Sequence, residues 1–341
     1  MKSKIAGKVR IAIIGTGGIS QPHANGILTH KDKVECTALC DVSAENLQRR
    51  SEQLGGGQAL FNDWRKMLAE AGDQIDAVDI CLPHHLHAPA ILDACAAGKH
   101  ILCEKPMCMS LKEADQIAKA VKRSGVTYMS AHNQLFMPVV QEAKKMIASG
   151  QLGKIRWLRS QDCFEAGVAG FKGKWRAKLK FQGGGELIDT GYHPTYRLLH
   201  LAGAAVVGVR GSMGRYRQQI EGEDSASVQV RFANGAIGEI LTSWAFNNPF
   251  GSHQIHVIGE KGQIFGSDNE LYYLPGGFSK PALRNFREVE TFAAQMEHFV
   301  NCLTTGARPL HSIEEGRAVL DIILKAAEDA KGWQKYAATK I

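Results

Sequence analysis

Val9 to Ile14 is a short, almost unbroken apolar run rich in β-branched residues. That pattern suits a strand buried on both faces of a parallel sheet. GTGGIS follows at 15–20, and then a helix-compatible segment from Gln21 to His30. The same alternation continues. VECTALCD (34–41) reads as a second strand, with a helix starting near Ala44. IDAVDICLP (75–83) and HILCEKP (100–106) read as strands, and APAILDACAAG (88–98) between them as a helix closing on Gly98. Ser110 opens a further helix as a capping box with Glu113, and VTYMSAH (126–132) is the next strand. Repeated strand–helix units predict an α/β fold, a doubly wound parallel sheet with ligands at the strand C-termini.

After Met137 the pattern changes. A helix over 138–149 precedes strand-like stretches at 205–214, 225–233, 236–246 and 254–266, with turns such as Asn234-Gly235 between them. This predicts an antiparallel sheet, one face packed and the other facing solvent or a partner. Helical patterns return at 290–304 and 312–332. The expected division is a first domain over 1–134, built on the parallel sheet, and a second α/β domain over 135–341. The closing helices belong to the second domain or pack back on the first.

A chain of 341 residues is long enough for two cores, and 22% charged residues is ordinary globular composition. No apolar run nears the roughly 20 residues of a membrane span, so no membrane partner is expected. Eight cysteines are present, none in a C-x-x-C pair, which removes the zinc-ribbon and thioredoxin readings. Several sit in strand-like contexts, as reduced buried thiols of a cytoplasmic protein would. The formal net charge of +7 comes without a basic tail or aromatic–basic interleaving, so nucleic acid is not an expected partner.

The strand–glycine turn–helix opening carries the first candidate chemistry. Gly15 permits a tight turn and Gly17 a close approach to a pyrophosphate. The third position of the pattern is Ser20 rather than Gly or Ala. Asp41, ending the second strand, is placed to accept hydrogen bonds from ribose hydroxyls and would repel a 2′-phosphate, which favours NAD over NADP. Pro83, His84, His85 and His87, then Glu104 and Lys105, then Asn133, gather at later strand ends as a cleft lining. The loop histidines lack helical spacing and a nearby carboxylate, so no metal site is expected. In GGGELIDTGYH (183–193), Asp189 and His193 stand four apart, on one face if helical, where a carboxylate can orient an imidazole for proton transfer.

GTGGIS, Asp41, LPHHLH (82–87), EKP (104–106), SGQLGKI (149–155), Trp175-Arg176, GGGELIDTGYH and ARPLHSIEEG (307–316) together resemble the Gfo/Idh/MocA oxidoreductases over nearly the whole chain. The resemblance implies a Rossmann domain followed by an α/β domain with a large, mostly antiparallel open-faced sheet. It implies a catalytic group of Lys105, Asp189 and His193. It implies cofactor contacts from Gly15, Thr16, Gly17, Gly18, Ile19, Asp41, Leu82, Pro83, His84, His87, Glu104, Lys105, Asn133, Trp175 and Arg176. Substrate contacts would come from Lys105, Asn133, Glu165, Asp189, Thr190 and His193.

The implied chemistry is reversible hydride transfer between nicotinamide and a secondary hydroxyl of a sugar, anhydrosugar, polyol or sugar derivative. Either His193 or Lys105 removes the hydroxyl proton. Two alternatives share these residues: an NAD-retaining glycosidase or lyase working through transient sugar oxidation, and a non-catalytic NAD sensor. KGKWRAKLK (172–180) has a cation at alternate positions, which on a strand would make one positive face for an anionic substrate group. An uncovered sheet face implies a homodimer or homotetramer.

Overall fold

The computed structural model describes residues 5, 7–167, 171, 173–249, 251–277 and 279–333. They form two compact units. The first is Met1–Asn133 with Glu290–Arg317, the second Gln134–Val289 with Ala318–Ile341.

The first unit runs β1 (Val9–Ile14), α1 (Ser20–Thr29), β2 (Val34–Cys40), α2 (Ala44–Gln53), β3 (Ala59–Phe61), α3 (Trp64–Glu70), β4 (Ala77–Ile80), α4 (His87–Ala96), β5 (His100–Cys103), α5 (Leu111–Ser124) and β6 (Tyr128–Ser130). The sheet order is β3-β2-β1-β4-β5-β6, and every pairing is parallel. The direction of strand addition reverses between β1 and β4, which opens a crevice at their C-terminal ends. Helix starts follow local chemistry. Ser43 accepts from the Asn46 N–H, Asp63 from the Arg65 and Lys66 N–H groups, and Ser110 from Glu113. The apolar faces of β1 and β2 share a core with Met296, Phe299, Val300 and Leu303 from the helix Thr291–Thr305. Gly26 of α1 lets that helix approach closely, since a Cβ there would lie 3.0 Å from the Phe292 carbonyl oxygen.

The second unit contains α6 (Pro138–Ala148), β7 (Ile155–Cys163), α7 (Leu179–Gln182), α8 (Glu186–Asp189), α9 (Tyr192–Ala202) and seven strands: β8 (Val206–Gly214), β9 (Ser225–Phe232), β10 (Ile237–Ser243), β11 (His253–Gly259), β12 (Gly262–Ser267), β13 (Glu270–Pro275) and β14 (Ala282–Asn285). The helix at 291–305 is α10, and α11 (Ile313–Trp333) closes the series. Eight strands order as β14-β13-β12-β11-β7-β10-β9-β8. Only the β7–β10 pairing is parallel; the others are antiparallel. Alternation is strict in β9, where Ala226, Val228, Val230 and Phe232 are buried and Ser227, Gln229 and Arg231 exposed. Helix α9 packs against β7 and β10 on the covered face.

Two expectations about elements are corrected. The single stretch 254–266 is a hairpin, β11 and β12, turning at Glu260-Lys261. Backbone carbonyls of Lys154 and Leu152 hold that turn by accepting from Glu260 and Lys261, and a Cβ at Gly259 would lie 2.1 Å from the Leu152 oxygen. KGKWRAKLK is not a strand. Lys172 lies outside the described residues, and the rest forms a 3-10 turn at Trp175–Ala177 and α7. Lys178 pairs with Glu221 at 2.8 Å and Lys180 lies over the Phe181 ring, so no single positive face forms.

Among the described residues no helix is long and apolar enough to cross a membrane. All eight cysteines are free thiols and seven are buried. Burial pushes thiols such as Cys40 and Cys108 up to about 12, so they remain protonated.

Candidate active site

The glycine turn is built by three constraints. Gly15 has φ +92°, and a Cβ on it would come within 2.6 Å of the Cys81 carbonyl oxygen, so only glycine fits between β1 and the end of β4. The Asp41 carboxylate accepts from the Thr16 N–H at 2.7 Å and the Thr16 hydroxyl at 3.1 Å, and its other oxygen accepts from the Ser43 N–H at 2.9 Å. The strand-end acid thus holds the turn itself. Thr16 is fully buried, so it serves the site by fixing the turn. At Gly17 and Gly18 a Cβ would meet nothing within 4 Å. That open space, beside the exposed Ile19 and the start of α1, is a cradle that a dinucleotide's diphosphate fits. Ser20 is buried and donates to the Gly17 carbonyl at 2.7 Å. The departure at the third glycine position therefore tightens the turn.

Beneath the strand ends lies a buried charge network that the sequence reading missed. His23 on α1 has Nδ1 2.8 Å from Asp79 Oδ2 and Nε2 3.0 Å from Glu104 Oε1, with all three side chains buried. Burial works against a charged ring, but Asp79 foremost, together with Cys81, outweighs it and raises the imidazole well above its ordinary value. His23, Asp79 and Cys81 come together closely enough to suggest a metal site. Both ring nitrogens are already on carboxylates, and burial holds the Cys81 thiol at about 12, so the cluster is an ion-pair network.

Glu104 also accepts from the Lys105 N–H through Oε2 at 3.1 Å. This carboxylate anchors the backbone of the half-buried Lys105, whose peptide bond to Pro106 is cis.

The loop after β4 is partly a structural device. His87 is fully buried, with Nδ1 2.6 Å from the Pro106 carbonyl and Nε2 2.7 Å from the Leu82 carbonyl. The ring ties the two loops together, and burial lowers its pKa. His84 is buried, while Leu82 and Pro83 are half-buried. Asn133 donates to the Thr291 hydroxyl at 3.0 Å.

In the second unit the triple-glycine segment exists because the backbone must pass Glu223. A Cβ at Gly185 would lie 2.1 Å from the Glu223 oxygen, and that oxygen accepts from the Glu186 N–H at 2.8 Å. Asp189 and His193 do not share one regular helix. The Gly191 N–H bonds the Glu186 carbonyl five residues back, a widened turn separating α8 from α9. Asp189 accepts from Arg176 Nε at 2.8 Å, and the Arg176 guanidinium also covers the Trp175 ring at 4.5 Å. His193, in the first turn of α9, has Nδ1 2.7 Å from the hydroxyl of buried Tyr196. That hydroxyl also accepts from the Gln134 N–H at 3.1 Å. Tyr196, unmarked in the sequence, is therefore an orienting partner of His193. The Thr190 hydroxyl accepts from Trp244 Nε1 at 2.8 Å. Glu165 accepts from Arg217 through its side chain, and its N–H donates to Asn247.

A second buried pair stands near His193. Asp162 accepts from Arg197, both fully buried, and the guanidinium also donates to Gln134, Ser160 and the Gln161 carbonyl. Burial pushes Asp162 upward, but Arg197 and His253 outweigh it and hold the carboxylate below its usual range, with the charge of His193 acting the same way.

Residues 9–132 match the family model described as "Oxidoreductase family, NAD-binding Rossmann fold", and residues 140–265 match the GFO/IDH/MocA C-terminal domain. The chain is 28% identical over 319 residues to scyllo-inositol 2-dehydrogenase (NAD(+)) of Bacillus subtilis, covering 89% of this chain and 88% of that protein. It is 32% identical over 234 residues to levoglucosan dehydrogenase of Pseudarthrobacter phenanthrenivorans, covering 61% of this chain and 57% of that protein. Its fold is similar to the crystal structure of aldose-aldose oxidoreductase from Caulobacter crescentus complexed with glycerol. The TM-score is 0.85 at 25% identity, covering 96% of this chain and 98% of the other.

The His23 network predicts a pH signature. A raised imidazole contributes stability that is full below the unfolded value near 6.5 and is lost as pH rises through the folded value. His23→Gln should cost about 3–5 kcal/mol at mildly acidic pH. In denaturant titrations its deficit against the parent protein should shrink as pH is raised. A deficit that stays constant with pH would mean the ring is neutral in the folded protein.

Proposed function

The chain belongs to the Gfo/Idh/MocA oxidoreductases, and on that premise we propose that it is an NAD-dependent dehydrogenase oxidising a secondary hydroxyl of a sugar, anhydrosugar or polyol. The observation that carries the reading is the pinned glycine turn. Two glycines open to space follow directly on Thr16, which a strand-end carboxylate holds, in a chain that also carries Lys105, Asp189 and His193. The two relatives act on a ring polyol and an anhydrosugar by their names, which supports that substrate class.

Gly17, Gly18 and the first turn of α1 would hold the diphosphate, and Asp41 the adenosine ribose. When bound, NAD supplies the hydride acceptor. The protein must remove the hydroxyl proton as hydride departs. His193 takes this proton, its ring oriented by the neutral hydroxyl of Tyr196. Lys105 donates a hydrogen bond to the reacting oxygen and stabilises its developing negative charge. The fixed backbone at Glu104 limits where that ammonium can reach. Asp189, held by Arg176, contributes a fixed negative charge. Asn133, Glu165 and Thr190 complete the proposed substrate contacts. The largely buried, protonated thiols accord with a cytoplasmic setting.

The open sheet face carries a stripe of rings across β7, β11, β12 and β13. Trp157 meets His256 at 5.2 Å, His256 meets Phe265 at 5.8 Å, and Phe265 stacks on Tyr272 at 5.2 Å. The stripe borders a groove of about 580 Å³. We assign this face to self-association as a homodimer or homotetramer.

Three outcomes follow. A panel of sugars, anhydrosugars and polyols should yield NADH with at least one member, and Lys105→Ala should lower kcat by about 10²–10⁴ with NAD binding retained. Turnover within about tenfold of the parent would remove Lys105 from the chemistry, and aglycone release without NADH would indicate the glycosidase alternative. Asp41→Asn keeps an acceptor for the Thr16 N–H but drops the charge. It should raise the NADP-to-NAD ratio of kcat/KM by about tenfold, roughly 1.4 kcal/mol; an unchanged ratio would mean Asp41 does not choose the cofactor. Sedimentation equilibrium should show a dimer or tetramer that Phe265→Asp weakens, and a monomeric parent protein would refute the interface.

A further inference from the structure

Arg50 is a buried cation with no carboxylate beside it. It lies on α2, is 3% exposed, and turns its guanidinium under the glycine turn. Nη2 donates to the Gly17 carbonyl at 3.1 Å, Nε to the Ser20 hydroxyl at 2.9 Å, and Nη1 to Gln53. All three partners are neutral, and among the described residues no acid lies within ion-pair distance. Burial, and to a lesser degree the like charge of Arg49, lowers the guanidinium from its ordinary value.

Hydrogen bonding does not explain the residue. The Gly17 carbonyl already accepts from the Ser20 hydroxyl at 2.7 Å and the Ser20 N–H at 3.2 Å, and the Ser20 hydroxyl uses its proton on that carbonyl. Without Arg50 both groups keep a partner. A buried charge lacking a counter-ion is costly. Here it stands under the one segment where Gly17 and Gly18 open to space at the start of α1, whose N-terminus is also electropositive.

We infer that Arg50 is a charge-positioning residue for the cofactor's diphosphate, acting through the Gly17–Ser20 turn, and that the bound diphosphate is its missing counter-ion. The guanidinium polarises the Gly17 carbonyl and Ser20 from behind and holds a positive potential on the turn. Apoprotein carries this charge uncompensated; dinucleotide binding compensates it. Stability of the empty protein and affinity for the ligand therefore pull in opposite directions at this residue. The inference rests on the dinucleotide reading above.

Opposed signs are the test. Thermal midpoints of the apoprotein, and calorimetric Kd values for NAD, ADP-ribose and adenosine, are measured for the parent chain, Arg50→Met and Arg50→Lys. Arg50→Met should leave the apo midpoint unchanged or raised, and weaken NAD and ADP-ribose by about tenfold or more. Adenosine, which has no phosphate, should bind as before, and Arg50→Lys should recover most of the lost affinity. Unchanged Kd values for NAD and ADP-ribose in Arg50→Met overturn the inference. So does an equal loss for adenosine, and so does a folded Arg50→Lys that recovers nothing. Should Arg50→Met fail to fold, Arg50→Gln, which keeps hydrogen bonding without charge, takes its place with the same criteria. A parent protein that binds neither NAD nor ADP-ribose would instead sink the dinucleotide reading.

Discussion

The carboxylate of Asp41 holding both polar groups of Thr16 is the contact on which the first unit's chemistry depends. It fixes the turn after β1 against the end of the neighbouring strand β2, so these two strands present their C-termini as one edge. Everything polar nearby is arranged around that edge. Ser20 folds the turn onto Gly17, Arg50 supports both from behind, and the start of α1 is left facing outward. Because the acid does structural service, its charge is localised and cannot swing away from a ligand. Steric freedom at Gly17 and Gly18 and negative charge at Asp41 are consequences of one hydrogen-bonded unit.

The two units solve the problem of buried charge differently. In the first, an imidazolium is held between Asp79 and Glu104, and the second oxygen of Glu104 steadies the backbone of Lys105. In the second, Asp162 and Arg197 neutralise each other fully out of water, with Gln134, Ser160 and a carbonyl completing the guanidinium's bonds. Such pairs add little net stability over well-packed apolar residues, but each is costly to break. Their worth lies in position: they fix strand ends and the first turn of α9, where the candidate chemistry resides.

Much of this was legible in the sequence. The strong apolar runs at 9–14, 34–41, 75–83 and 100–106 became β1, β2, β4 and β5, because strands buried on both faces carry an unmistakable pattern. β3, with three residues, is too short to show a period, and β14, with its four residues all exposed, has no buried face to mark it. The hairpin inside 254–266 was missed although Gly259 and Gly262 flank its turn, whose two central residues, Glu260 and Lys261, are held by the distant carbonyls of Lys154 and Leu152. Site residues divided in the same way. Gly15, Asp41, Lys105 and His193 stand in local motifs. His23, Arg50, Tyr196 and Arg197 do not, because their meaning comes from partners on other elements. The spacing of Asp189 and His193 suggested one regular helix, which a widened turn at Gly191 divides in two.

The first unit is discontinuous: its sheet is complete at β6, yet Met296, Phe299, Val300 and Leu303 of its core arrive with α10. During synthesis the ribosome must deliver all of 134–289 before that apolar surface is covered. The nascent nucleotide-binding half therefore waits, partly unsealed, while its neighbour is made. A nonsense mutation anywhere upstream of α10 would leave the sheet without that lining, so the first unit's completion is tied to the last stretch of the polypeptide.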